Sequence, residues 1–244
     1  MKILVAPLTK RYVLVDYDNV VKASGSAVSF STIVSHIIKR LDESSDFFDD
    51  AEMLENVIVR LYGGWFEGKT YARGAQDIRA DIGRGDMPSY TLKKDVKVYP
   101  RVSLATSMFS CEGQFLYNTK RKRDLSEVID FTKTSCCEDS DPYYDFVRKA
   151  VSRKACPYCQ RDWFYQAFVT DGQKMVDAML FCDFLHISNG SNRVALVSSD
   201  SDMIPVLIQV TRMGCQAYHV LTGSEGEMCD YTRLFGATYS KINW

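Results

Sequence analysis

The sequence predicts an α/β protein, a three-layer sandwich built around a mainly parallel central sheet. Short apolar runs at residues 13–15, 56–62, 193–198 and 215–221 have the length of buried strands. Between them lie segments with helical apolar spacing, the clearest being Ile33, Val34, Ile37, Ile38 and Leu41. Strands alternating with helices favour parallel pairing, because each crossover helix returns the chain to the same sheet edge.

Taken in order, strand 13–15 runs into the polar turn Asp16-Tyr17-Asp18-Asn19, and a helix follows over 30–41. Strand 56–62 ends at Gly63-Gly64, which break regular structure. A polar helix is expected over 70–82. A weaker strand is expected over 96–102, its Pro100 favouring an edge position or the strand's end. Residues 103–170 read as an irregular insertion within one domain spanning 1–244. Regularity returns with an apolar helix at 171–186, strand 193–198, helix 203–213, strand 215–221 and a terminal helix at 227–235.

Composition narrows the class. Apolar residues make up 46% and charged residues 25%, which excludes a wholly disordered or collagen-like chain. Net charge is −1, so no global positive field attracts a polyanion; attraction to nucleic acid would need local patches or metal. No apolar run approaches the roughly 20 residues that span a bilayer. The apolar start at residues 3–8 is short and lacks a clear cleavage site, so a cytoplasmic protein with no membrane partner is expected. Eight cysteines then suggest core, metal or redox roles rather than a disulfide framework. Of these, Cys182, Cys215 and Cys229 read as core, and no histidine is assigned a catalytic role.

The chemistry concentrates in carboxylates. Asp16 and Asp18 follow one strand; Asp200 and Asp202 follow another. In open parallel sheets ligands bind beyond the strands' carboxyl ends. Asp177 sits in an apolar helix, where an unpaired charge is costly, and Lys174 lies one turn away to pair with it or meet a phosphate. A hard cation such as Mg²⁺ takes oxygen ligands and would offset that cost. Metal-bound water can also supply a nucleophile without a histidine base. Helix capping is the plain alternative for each Asp and Asn that follows a strand.

Three segments in order, VLVDYDNV at 13–20, QKMVDAMLFCDFL at 173–185 and VALVSSDSDMIPVL at 194–207, resemble the NYN domain of the PIN-like nuclease superfamily. The resemblance implies a PIN-like fold and an endoribonuclease that cleaves RNA, single-stranded or structured, using Mg²⁺ or Mn²⁺. It implies that Asp16, Asp177 and Asp200 hold the metal, with Asn19 and Asp202 as supporting groups and Asp18 and Asp183 as extras. Such domains often form homodimers, although no segment marks an interface. The long insertion departs from a minimal domain of this kind.

Two other readings stand beside it. The same fold could serve as an inactive RNA-binding or protein-interaction module. Residues 16–20 also resemble the D-x-D-x-[TV] of haloacid-dehalogenase-like phosphatases, with Asp16 as nucleophile and Asp18 as acid/base.

Within the insertion, Cys156-Pro157-Tyr158-Cys159 has zinc-ligand spacing, and Cys136 and Cys137 could complete a structural Zn²⁺ site, with Cys111 in reserve. Reduced cysteines without metal, or a redox pair, are the alternatives. Lys120, Arg121, Lys122 and Arg123 could grip a phosphate backbone or form a solvated loop. Trp65 could stack an unpaired base or plug the core, and Arg73 is a candidate phosphate contact.

Overall fold

A computed structural model of the chain describes residues 10–24, 29–48, 56–85, 89–117, 120–122, 171–173, 175–188, 192–222, 233–235 and 237–244. The chain divides into two compact units, residues 120–174 and the remainder.

The larger unit opens with β1 (Arg11–Asp16), α1 (Tyr17–Ser24) and α2 (Phe30–Ser44). Next come β2 (Asn56–Tyr62), a small ribbon of β3 (Phe66–Glu67) and β4 (Thr70–Tyr71), and α3 (Arg73–Gly83). β5 (Tyr90–Thr91) and β6 (Lys97–Leu104) lead to a 3-10 turn at Phe109–Cys111. In the smaller unit, β7 (Lys120–Lys122) and β8 (Asp171–Gln173) form an antiparallel pair. The larger unit resumes with α4 (Val176–Ile187), β9 (Arg193–Val197) and a 3-10 turn at Ser201–Met203. It ends with α5 (Ile204–Arg212), β10 (Ala217–Leu221) and β11 (Tyr239–Asn243).

Seven strands form one sheet in the order β11-β10-β9-β1-β2-β6-β5, all parallel except the edge strand β5. β1 lies at the centre, and all six of its residues are buried. That explains its unbroken apolar run: a central parallel strand is covered on both faces. Val13 and Val15 face one core with Ile33, Ile37 and Leu41 of α2 and Ile78 of α3. Tyr12 and Leu14 face a second core with Leu180 and Phe184 of α4 and Leu207 of α5. Each fully buried aliphatic side chain contributes about 1.5–3 kcal/mol, so the two cores dominate the stability. Among the described residues, no helix is long and apolar enough to cross a membrane.

The α/β class and the mainly parallel sheet agree with the sequence, while several elements differ. The expected turn at 16–19 is the start of α1, because Asp16 caps that helix: Asn19 N–H donates to Asp16 Oδ1 at 3.2 Å. Thr70 and Tyr71 belong to a ribbon, so α3 starts at Arg73. Residues 171–173 form a strand, and α4 begins at Val176. β6 is not the sheet edge, yet Pro100 is tolerated: β5 pairs only with Lys97 and Val98, leaving the prolyl side of Pro100 without a ladder to break. Residues 103–117 pack with the larger unit, Met108, Phe109 and Leu116 lying against its second core. Most of the expected terminal helix, 227–232, lies outside the described residues. The polar strand β11, with Ile242 as its one buried residue, lacked a clear apolar signal.

Candidate active site

β1 and β9 are parallel neighbours, with Val15 opposite Val197, so Asp16 and Ser198 leave the sheet side by side. From β1 the chain order runs outward through β2 and β6 on one side; from β9 it runs through β10 and β11 on the other. The reversal between β1 and β9 is the sheet's topological switch point, where a crevice forms beyond the strand ends.

Asp16 is only 5% exposed. Its Oδ1 caps α1, and its Oδ2 accepts the Ser198 hydroxyl at 2.9 Å. Ser198 Oγ in turn accepts the Asp200 N–H at 3.1 Å. Asp200 Oδ1 caps the following 3-10 turn, accepting the Asp202 N–H at 3.0 Å. The capping alternative is therefore true of both aspartates. It does not account for the burial of Asp16 beside other carboxylates.

Those neighbours show in the proton affinities. Burial raises the Asp16 pKa from 3.8 to about 6; the Ser198 and Asn19 donors oppose the rise, and Asp177 and Asp18 add to it. Asp177, half-buried in the first turn of α4, is also raised, first by burial and then by Asp200, Asp202 and Asp18. Asp16 thus lies in the fields of Asp18 and Asp177, and Asp177 in those of Asp18, Asp200 and Asp202. Among the described residues, no Lys or Arg forms an ion pair with Asp16, Asp177, Asp200 or Asp202.

Asn19 ties α1 to the ends of β9 and β10. Its Oδ1 accepts the Thr222 hydroxyl at 2.8 Å and faces the Ser199 N–H at 3.4 Å. Thr222 N–H also reaches Ser199 Oγ at 2.6 Å. Asp18 is tied to the end of β2, its Oδ2 accepting the Gly64 N–H at 3.1 Å. A Cβ on Gly63 would lie 3.0 Å from the Trp65 ring and 3.2 Å from Asp18 Oδ2. The ring cannot easily give way, because Trp65 Nε1–H donates to the Leu61 carbonyl at 3.1 Å. Gly63→Ala is therefore expected to cost about 1–3 kcal/mol, as overpacking does, measurable by urea unfolding. An unchanged midpoint would show that Trp65 or Asp18 has room to move.

The carboxylate oxygens of Asp16, Asp18, Asp177, Asp200 and Asp202 are donors that suit a hard cation. Among the described residues, no three His, Cys, Asp or Glu side chains form a ready-made cage. Mg²⁺ does not require one, because it keeps several waters and binds through one or two carboxylates.

Other expectations fare differently. Trp65 is 4% exposed, so it plugs the core and cannot stack a base. Its indole spans the gap left by Gly63, tilted against Tyr17 at 5.6 Å. Asp183 is no metal ligand: it is fully buried and paired with Arg60 at 3.1 Å. It also accepts from Tyr62 OH and Phe109 N–H, each at 2.7 Å. Cys182 is exposed on α4 rather than core, whereas Cys215 is buried. Cys111 is a half-buried free thiol. Arg73 stands exposed at the start of α3. The basic residues Lys120, Arg121 and Lys122 lie on a strand, with Lys122 opposite Asp171, rather than in a loop. Arg123, Cys136, Cys137, Cys156, Cys159, Lys174 and Cys229 lie outside the described residues.

Sequence reasoning assigned no role to Ser198, Ser199, Thr222 or His219. For the three hydroxyl residues, their place directly after β9 and β10 was the available signal, but such residues are common in turns. Comparison with protein-family models, curated proteins and solved structures finds no match for this chain.

Proposed function

We propose that the protein is a metal-dependent nuclease, an endoribonuclease that hydrolyses RNA phosphodiester bonds with Mg²⁺ or Mn²⁺. The observation that carries the proposal is the buried Asp16, its pKa raised to about 6, beside Asp18 and Asp177 at the switch point, with Asp177 in turn beside Asp200 and Asp202. Buried like charges are costly, and a divalent cation would offset them. The choice of RNA rests on the resemblance of the three ordered segments to NYN domains.

Asp16, Asp177 and Asp200 would hold the cation, in part through its retained waters, and when bound it would lower the pKa of a coordinated water and stabilise the leaving oxygen. Ser198 holds Asp16 Oδ2 in place. Asn19 commits its Oδ1 to Thr222, which leaves its amide N–H₂ as the group to meet a phosphate oxygen. Asp202, exposed beside Asp200, would orient water. Lys120, Arg121, Lys122 and Arg123 remain proposed backbone contacts, and a structural Zn²⁺ held by Cys136, Cys137, Cys156 and Cys159 remains a proposal for the smaller unit.

Purified protein with Mn²⁺ or Mg²⁺ is expected to cut labelled single-stranded RNA, and EDTA should stop it. Asp200→Asn should slow cleavage by about 100-fold or more, the scale on which removing one electrostatic contact to a reacting centre acts. Cleavage unaffected by EDTA or by Asp200→Asn would overturn the proposal. Binding of RNA without cleavage would favour an inactive module. Turnover of a phosphomonoester with a phosphoryl group on Asp16 would favour the phosphatase.

A further inference from the structure

We infer that His219 is a positioning residue for the acidic site, acting through Ser198. This goes beyond the proposed nuclease function, and rests on it only where cation binding is concerned.

His219 lies on β10 and is fully buried. Burial lowers its pKa to about 4, with Lys241 adding to the fall, so the ring is neutral at neutral pH. Its Nε2 lies 2.9 Å from the Ser198 carbonyl oxygen. A carbonyl can only accept, so Nε2 carries the proton. Nδ1 is then an acceptor, and it lies 3.0 Å from Tyr239 OH on β11, whose own pKa burial raises to about 12. Each partner thus has one available role, and the tautomer is set by the protein.

The chain of contacts continues to the site. Ser198 is the first residue beyond β9, where sheet pairing would otherwise release the backbone. Two bonds hold its peptide groups: Ser198 N–H donates to Val220 O at 3.1 Å, and its carbonyl accepts from His219. With the backbone held, the Ser198 hydroxyl has two partners, donating to Asp16 Oδ2 and accepting from Asp200 N–H. One serine thereby sets the orientation of Asp16 and the path of the Asp200 loop. A core leucine would fill the space of His219 without the cost of a buried imidazole. The use of the imidazole is its N–H, delivered to the one carbonyl whose residue touches both aspartates.

The test compares His219→Gln, whose amide reaches the Nε2 position, with His219→Asn, one methylene shorter, and His219→Met, which cannot donate. Mn²⁺ binding is measured on the full chain by electron paramagnetic resonance, and exchange of the Asp200 amide by NMR. His219→Asn and His219→Met should weaken Mn²⁺ binding about tenfold, the low end for losing an outer partner of a metal ligand. They should also speed Asp200 amide exchange, whereas His219→Gln retains both properties. Ser198→Ala should weaken binding similarly, and adding His219→Met to it should cause little further loss, since both act through one contact.

Unchanged binding and exchange in all three variants would overturn the inference. So would equal loss in Gln, Asn and Met, which means packing alone, or additive loss in the double variant. If the unsubstituted protein binds no Mn²⁺, the metal reading fails, and Asp200 exchange still decides the role of His219.

Discussion

Asp16→Asn is expected to make the metal-free protein more stable at pH 7 while removing divalent-dependent cleavage. Folding moves the Asp16 pKa from 3.8 to about 6, mainly through burial. A carboxyl whose pKa rises on folding binds its proton more tightly in the native state. Its ionisation therefore opposes folding as pH rises from about 4 to about 6, and the full penalty applies above that. At 1.36 kcal/mol per pKa unit, the penalty is about 3 kcal/mol at pH 7. Asparagine loses the charge but weakens the hydrogen bonds to Asn19 and Ser198, so a net gain of about 1–2 kcal/mol is expected. In a chain of this size that raises Tm by roughly 2–8 °C. The gain should shrink as pH falls from 6 to 4, and Mn²⁺ should stabilise the unsubstituted protein alone. Thermal scans at pH 4, 5.5 and 7, with and without Mn²⁺, test this. A variant less stable than the parent at pH 7 would show that Asp16 serves the fold as a cap and carries no stored electrostatic cost.

Asp183→Leu should have the largest effect on stability of any substitution considered. Asp183 lies on α4, Arg60 on β2, and both side chains are almost wholly buried. Arg60 is further held by the Ser107 carbonyl and lies 4.1 Å over the Phe109 ring. Removing the carboxylate strands the guanidinium in the second core and orphans Tyr62 OH and Phe109 N–H. Breaking a buried pair from one side costs about 3–5 kcal/mol, equivalent to roughly 6–20 °C in Tm. Replacing both partners, Arg60→Met with Asp183→Leu, should recover much of the loss, because no charge is then left unpaired. A double variant as unstable as Asp183→Leu would mean that the hydrogen bonds to Tyr62 and Phe109, rather than the charge, hold this part of the core.

These two aspartates show how far the sequence could be read. The central strand was legible because it is buried on both faces, and a run of Val and Leu has few other homes. That carboxylates follow the ends of β1 and β9 was equally plain. Burial of Arg60 was hinted at by an arginine within the apolar strand at residues 56–62, but its partner was not. Asp177 and Asp183 occupy the same helix among similar neighbours. One shares the field of the acidic site, and the other closes an ion pair with β2. The choice between the two roles of Trp65, and the starts of α3 and α4, lay beyond the sequence for a related reason. A two-residue ribbon or a ring filling the space above a glycine leaves no periodic trace.

The sequence by itself determined the α/β class, five of the seven strands of the central sheet (β1, β2, β6, β9 and β10) and the residue types available at their ends. These follow from apolar spacing within about ten residues, which burial on one or two faces dictates directly. The tertiary structure decided which polar groups meet. Asp16 reaches Ser198 across 182 residues, and Tyr62 reaches Asp183 across 121. Such partners are chosen by strand order and register, so a carboxylate's role depends on what the fold carries to it from elsewhere in the chain.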